Sequence, residues 1–328
     1  MNYKESKNIL EEIKKANKIL VNCHRSPDPD SIGSATSMSL ALKELGKDDV
    51  TIISPDEIPD NCKFLPNSKS IKVVNFDDFD FSQYDTFVIV DSGNWNQTTG
   101  KDNILSSKIR KVVIDHHYTN TKEGDINLVD EKTGSCCALL FKIFSDWKLE
   151  LTTDLATSLL TGIIADTMSF QTDIIGESAF SMADTLVKNG ADRRNILFNL
   201  YMSRPIDEIH LMGEMLTKVV VEEDARFAWV AVPKDLTKNY PGSRDAKSYI
   251  AGSFIQSIEN TDFGFVLEQF DNFCSVSFRS RNDFDVSKIA EKLGGGGHKS
   301  ASAARLYMPY DQAVIKVLET ARKYAKKD

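Results

Sequence analysis

At 328 residues, with 41% hydrophobic and 27% charged positions, the chain has the composition of a soluble globular protein and the length of two domains. Its net charge of −8 argues against tracking along long duplex nucleic acid, which needs a broad basic face, yet leaves room for a short anion in a local basic pocket. No apolar run approaches the roughly 20 residues of a membrane helix, and Met1-Asn2-Tyr3-Lys4-Glu5 starts nothing like a signal peptide, so a cytoplasmic protein without a membrane partner is expected.

Ile9, Ile13 and Ala16 recur at helical spacing and predict an opening helix that leads into a strand at Ile19–Asn22. The cluster His24-Arg25-Ser26-Pro27-Asp28-Pro29-Asp30 follows at once. A second helix is predicted over Ser31–Leu45, with Ile32, Ala35, Met38, Leu42 and Leu45 on one face. Val50–Ile53, Ile71–Val74, Thr86–Val90 and Lys111–Ile114 are short, β-branched strand candidates. Asp91 ends one of these, and Asp115-His116-His117 follows the last. Helices are predicted at Cys136–Trp147, Thr152–Ile164, Glu177–Lys188 and Arg193–Tyr201. Asp166 closes Gly162-Ile163-Ile164-Ala165, an apolar run that by itself also reads as a buried strand. The alternation implies an α/β fold, a mostly parallel sheet with helices on both faces. The five cysteines contain no C-x-x-C pair, so reduced thiols are expected, with Cys136-Cys137 packed in a helix.

Past about residue 185 the rhythm changes. Pro205–Val221 reads as one bridging helix. Phe227–Val232, Phe263–Phe270 and Phe273–Arg279 read as strands, the last two meeting in a hairpin at Asp271-Asn272. Helices are predicted at Ser248–Ile258, Val286–Leu293 and Tyr310–Lys326. The expected division is a catalytic domain over 1–185, a helical linker over 186–222 and a smaller α/β domain over 223–328.

Ligands collect at the carboxyl ends of parallel strands, so His24, Asp28, Asp30, Asp91, Asp115, His116, His117 and Asp166 are expected on one rim. So many acids repel one another unless cations neutralise them, which points to a metal site with two ions. Pro27 and Pro29 bias their neighbours to extended geometry, so Asp28 and Asp30 are expected to face the same way from an open loop. The plain alternative is an Asp-rich turn capping the next helix through Asp30 or Ser31. Gly33-Ser34 would offer backbone N–H groups to a phosphate. Imidazole and carboxylate donors suit Mn²⁺, Mg²⁺ or Co²⁺ better than a structural zinc. In the second half, Arg279 and Arg281 would share a face and fork onto phosphate. Gly294 to Gly297, followed by His298-Lys299, would form an anion nest, and Arg305 could join it. Phe278 and His210 read as structural. Trp95 either stacks on a base or packs under a loop.

These motifs, in order and spacing, resemble the DHH phosphoesterase superfamily, with Asp115-His116-His117 as its eponymous triplet. Phe278-Arg279-Ser280-Arg281 and Leu293-Gly294-Gly295-Gly296-Gly297-His298-Lys299-Ser300-Ala301 resemble its DHHA1 companion domain, and the size is similar to the oligoribonuclease/pAp-phosphatase (nanoRNase) branch. The resemblance implies that His24, Asp28 and Asp91 bind one ion and Asp30, Asp91, His116 and Asp166 the other. Two ions, most readily Mn²⁺, are the implied cofactors. Asp115 would lie behind a histidine, and His117 would contact the scissile phosphate or protonate the leaving oxygen. Arg279, Arg281, Gly295, Gly296, Gly297, His298, Lys299 and Arg305 would grip the substrate. Pro29 and Ala303-Ala304 depart from the family's usual Gly and Ala-Gly, which puts loop shape in question.

The expected reaction is two-metal hydrolysis of short single-stranded oligoribonucleotides, two to five nucleotides long, to mononucleotides, and of 3′-phosphoadenosine 5′-phosphate to AMP. Exonuclease action on long single strands and on long duplexes is disfavoured, and a homodimer is an expected assembly. Hydrolysis of linear or cyclic dinucleotides (pApA or c-di-AMP type) is the alternative within enzymes, and a non-catalytic nucleotide sensor the alternative from another class. The intact metal motifs speak against the sensor.

Overall fold

The computed structural model describes residues 2–101, 108–172, 177–243, 245–281 and 283–325. It divides into two compact units, Met1–Ser203 and Arg204–Asp328. The division falls inside the segment expected to be a helical linker.

The first unit is built on six parallel strands: β1 (Lys18–Asn22), β2 (Asp49–Ser54), β3 (Lys72–Val73), β4 (Thr86–Val90), β5 (Arg110–Asp115) and β6 (Ile126–Val129). Their order is β3-β2-β1-β4-β5-β6. A parallel sheet is buried on both faces, and every residue of β4 is buried accordingly. Ile19, Val21, Val88, Val90, Val112 and Ile114 point to one face. There they meet helices α1 (Lys4–Lys15), α2 (Pro29–Glu44), α4 (Cys136–Trp147) and α5 (Thr153–Asp166). Leu20, Phe87, Ile89 and Val113 point to the other face, which Phe76, Phe81 and Trp95 of the short helix α3 (Trp95–Thr99) close. Each such large side chain contributes about 1.5–3 kcal/mol on burial. Strand β6 had no counterpart in the sequence reading.

The second unit is a mixed sheet of β7 (Val220–Glu222), β8 (Phe227–Val232), β9 (Phe263–Gln269), β10 (Cys274–Ser280), β11 (Gly296–Gly297) and β12 (Ala301–Leu306), ordered β11-β12-β10-β9-β8-β7. The helix expected over Pro205–Val221 stops at Thr217, because Val220 and Val221 pair with β8. The helix expected over Ser248–Ile258 is a short α-turn, Ala246–Tyr249, that widens into π and then 3-10 geometry. The hairpin at Asp271-Asn272 is present, with the Phe270 N–H donating to the Phe273 carbonyl at 2.8 Å. The last helix spans Tyr310–Tyr324, and Lys326 lies outside the described residues. Among the described residues no helix is long and apolar enough to cross a membrane.

Candidate metal centre

The strand order reverses between β1 and β4, so the loops leaving these neighbours run in opposite directions and open a crevice at their carboxyl ends. His24 follows β1, Asp91 follows β4, and Asp115, the last residue of β5, leads into His116 and His117. Asp28 and Asp30 come from the start of α2, and Asp166 from the end of α5.

Three local expectations are corrected by the structure. Residues 28–30 are not an open extended loop. Pro29 takes the first helical position, where its missing N–H and fixed φ are tolerated. Asp28 is the N-cap, its Oδ1 accepting from the N–H groups of Asp30 (3.0 Å) and Ser31 (2.9 Å). Asp166 ends a helix rather than a strand, since Thr152 caps a continuous α5 through Ile163 and Ile164. Gly33 is no phosphate cradle either. It is buried, and a Cβ there would meet the Ser158 carbonyl at 2.7 Å, so its bareness lets α2 approach α5. Gly162 serves the same seam, where a Cβ would meet Asp30 Oδ1 and Cys137 Sγ at 2.3 Å each.

The side chains converge nonetheless. His24 Nε2 lies 3.5 Å from Asp28 Oδ2 and 3.5 Å from Asp91 Oδ2. His116 Nε2 lies 3.3 Å from Asp91 Oδ1, 3.3 Å from Asp166 Oδ2 and 3.8 Å from Asp30 Oδ2. Asp91 therefore touches both imidazoles, one with each oxygen. Within His24, Asp28 and Asp91, and again within Asp30, His116 and Asp166, the donor atoms all lie within 4.8 Å of one another.

The histidine tautomers follow from their other partners. Nδ1 of His24 faces the Arg25 carbonyl at 3.0 Å, and Nδ1 of His116 faces the Thr133 carbonyl at 3.1 Å. A carbonyl only accepts, so both Nδ1 atoms carry the hydrogen and both Nε2 lone pairs turn toward carboxylates. Asp91 Oδ1 is fully buried and receives no hydrogen bond. Lone pairs facing lone pairs in a buried cage need protons or cations between them. The donor set therefore fits hard divalent ions.

The charge balance tells the same story. Burial, with Asp91 adding, pushes Asp30 up to about 7, and burial together with Asp30 raises Asp166 well above the carboxylate range. Burial works against the charged form of His24 and His116, yet their carboxylate neighbours hold both well above the ordinary imidazole value. Asp91 is likewise disfavoured as an anion by burial, but the imidazoles around it hold it well below its usual range. Asp30 has further anchors, since its oxygens accept the N–H groups of Cys136 (2.7 Å) and Cys137 (3.0 Å) at the positive end of α4. Asp91 itself adopts a left-handed backbone, φ 52°, which aspartate tolerates better than most residues.

Asp115, wholly buried, holds Nδ1 of His117 with Oδ1 at 2.7 Å and accepts the Asn120 amide on Oδ2 at 2.6 Å. The same amide reaches the Ser92 carbonyl at 3.1 Å, and Asn22 bonds Ser92 Oγ at 3.0 Å. Sequence reasoning missed Asn22, Ser92 and Asn120. For Asn22 and Ser92 the signal was a polar side chain at or just after an apolar strand, whereas Asn120 lies farther along its loop and had none. Trp95 is 4% exposed and packs under the loop, which decides between its two readings. Cys23, Cys136 and Cys137 are buried, and burial pushes all three thiols up, so they stay neutral.

In the second unit Phe278 is core, as expected. Alternation does not carry to Arg281, which lies past the end of β10 and donates to the Ile258 carbonyl at 2.9 Å. Arg279 lies on β10 opposite Ala301, and Arg305 on β12 opposite Ser275. The glycine run is not an open nest. Gly296 and Gly297 pair with Ala303 and Ser302, and a Cβ on Gly295 would meet the Ala303 carbonyl at 2.0 Å. These glycines allow close backbone approach to β12. The His298 N–H donates to the Ala301 carbonyl, and Lys299 pairs with Asp283 at 3.3 Å on the surface.

Residues 18–163 match the model of the DHH family, N-terminal domain, and residues 242–327 that of the DHHA1 domain. The bifunctional oligoribonuclease and PAP phosphatase NrnA of Thermus thermophilus is 28% identical over 324 residues, which span 98% of this chain and 94% of that protein. The cyclic-di-AMP phosphodiesterase PdeA of Listeria monocytogenes is 25% identical over 332 residues, spanning 92% of this chain and 46% of that protein. A solved exopolyphosphatase-related protein from Bacteroides fragilis superposes with a TM-score of 0.87 at 23% identity, covering 98% of this chain and 96% of the other. That likeness speaks for the fold alone.

Proposed function

We propose, for a chain that belongs to the DHH family and carries its DHHA1 companion domain, that this metal-dependent phosphoesterase hydrolyses short oligoribonucleotides of two to five nucleotides and 3′-phosphoadenosine 5′-phosphate. The observation that carries the reading is the buried cage in which Asp91 meets both His24 Nε2 and His116 Nε2 among further carboxylates. His24, Asp28 and Asp91 would hold one ion, and Asp30, Asp91, His116 and Asp166 the other, with manganese the proposed pair. Ions held there supply Lewis acidity to a phosphoryl oxygen and lower the pKa of water.

The chain's own residues supply the rest. Asp115 and Asn120 fix the His117 ring with Nε2 directed away from Asp115, the orientation for contact with a phosphate or proton donation to a leaving oxygen. Arg279 and Arg305 bring charge to a substrate phosphate and keep it oriented. Similarity to NrnA of Thermus thermophilus over nearly both whole chains supports the substrate class. A second reading, a dinucleotide phosphodiesterase, draws on the similarity to PdeA.

One assay separates them. The purified protein is incubated with Mn²⁺ and, in parallel, oligoribonucleotides of two to about ten nucleotides, pApA, c-di-AMP and 3′-phosphoadenosine 5′-phosphate. Mononucleotide release that falls steeply beyond five nucleotides supports the proposal. Turnover confined to c-di-AMP or pApA favours the second reading, and no turnover of any of them sinks both.

A further inference from the structure

One face of the second unit sets aromatic rings beside the arginines proposed to meet the substrate phosphate. The β9–β10 hairpin carries Phe270 and Phe273, whose ring centroids lie 4.9 Å apart and 13° from parallel. Tyr307, just past β12, lies 6.0 Å from Phe273 and is 71% exposed. The Arg305 guanidinium sits 4.9 Å above the Phe273 ring, and the Lys247 ammonium 5.8 Å from that of Phe270. With Asn272 and Tyr310, these rings border a recess of about 290 Å³.

The register extends this face along the strands. Ser275 lies opposite Arg305, Ser277 opposite Ala303 and Arg279 opposite Ala301, and directly opposed residues share a face. Arg279 and Ser275 are about 14 Å apart at ordinary strand rise. Lys247 Nζ bonds Ser275 Oγ at 2.7 Å, at the Arg305 end of that span. The reverse face of the same strands, with Cys274, Val276, Phe278 and Leu306, is hydrophobic core. Of the acids nearby, Asp271 pairs with Lys234, while Glu268, opposite Ser275, and Asp245 both act on Lys247. One exposed tyrosine is ordinary on a protein surface. Stacked rings interleaved with cations along one strip are the pattern that holds single-stranded nucleic acid.

We infer that the β10–β12 face is a single-strand track, on which Arg279 and Arg305 take phosphates and Phe270 and Tyr307 stack a base of a substrate longer than two nucleotides. The inference deepens the oligoribonucleotide reading and rests on it. Stacking tolerates any base, so the track would select for length rather than sequence.

The test uses the full chain and a fluorescently labelled five-nucleotide oligoribonucleotide, read by anisotropy in EDTA so that nothing is cleaved. Phe270→Ala/Tyr307→Ala should weaken binding about ten-fold or more, with unchanged thermal melting, while Phe270→Ala/Tyr307→Phe recovers part of the loss. Unlabelled dinucleotide should compete equally well against both proteins. Binding of the double alanine variant at wild-type strength overturns the track, as does a phenylalanine variant no better than alanine. A wild type that hydrolyses no oligomer with Mn²⁺, but whose binding still depends on the rings, overturns the nuclease reading and leaves the track standing.

Discussion

Asp115 Oδ1 lies 2.7 Å from His117 Nδ1, and the other oxygen of the same buried carboxylate accepts the Asn120 amide. An anion with no solvent contact is thereby tied to one imidazole and one amide, and the ring has a single orientation. Burial works to raise Asp115, but the neighbouring His117 imidazole outweighs it and keeps the acid below its usual range.

His117→Ala should therefore lower kcat by about 10²–10⁴, the usual span for a lost general acid. Asn120→Ala and Asp115→Asn should cost about 10–100-fold, as lost orienting partners do. Bound metal measured by elemental analysis should stay at the wild-type level in His117→Ala and Asn120→Ala. Loss of metal from Asn120→Ala would show that the amide supports the cage rather than the ring.

Asp91→Ala should abolish turnover and reduce bound Mn²⁺ by at least half, because it removes a contact to both imidazoles at once. Titration calorimetry with Mn²⁺ reads this directly. Near-normal hydrolysis by the variant would count against the whole scheme.

The pH dependence has a definite sign. Asp30, Asp166, His24 and His116 are all raised, so the folded chain binds protons at these sites more tightly than the unfolded one. What the histidines contribute is present at low pH and lost as pH rises through their folded values. The two acids cost stability as pH climbs from the ordinary carboxylate range to their folded values. Asp91 and Asp115 are lowered, and their opposite contribution fades only below the ordinary range of about 4. Without divalent ions, Tm should fall between about pH 5 and about pH 8. Saturating Mn²⁺ should flatten or reverse that slope, since metal binding displaces the protons. Melting curves with EDTA and with Mn²⁺ check both halves.

Gly162→Ala places a methyl against Asp30 Oδ1 and Cys137 Sγ. Overpacking of this kind costs about 1–3 kcal/mol, and here it should also move an acid out of the cage. Denaturant unfolding and metal content, measured together, are expected to fall together. A stable variant with normal metal would mean the seam relaxes at no cost.

Arg279→Ala should raise KM for short oligoribonucleotides by about ten-fold or more, as loss of a charge-assisted hydrogen bond does, and leave metal content intact. If the metal were lost instead, the division of labour between the units would be wrong.

Much of this was legible in the chain. Thr86–Val90, Cys136–Trp147 and Phe227–Val232 emerge with the bounds their patterns predict, because unbroken apolar runs and clean helical spacing are hard to misread. The rim acids were visible as polar residues closing such runs. What stayed hidden had conflicting local signals. Pro29 biases its neighbour to extended geometry and yet suits the first turn of a helix, and only the Asp28 cap decides. Asn127 interrupts β6, and the alanines of β12 carry little strand preference. The glycine run looked like a loop because pairing with a neighbouring strand leaves no mark on the sequence. Asn120 was invisible for the same reason, since its partners come from two different strand ends.

His24 and His116 are each moored to a main-chain carbonyl, and Asp30 to the first two amides of α4. The cage takes its shape from the scaffold and not from its guest. Loading would then demand little rearrangement, quite unlike a small domain that collapses only around zinc. Cations of similar size and hardness could exchange without unfolding anything, so supply in the surroundings, rather than the protein's architecture, would choose among them.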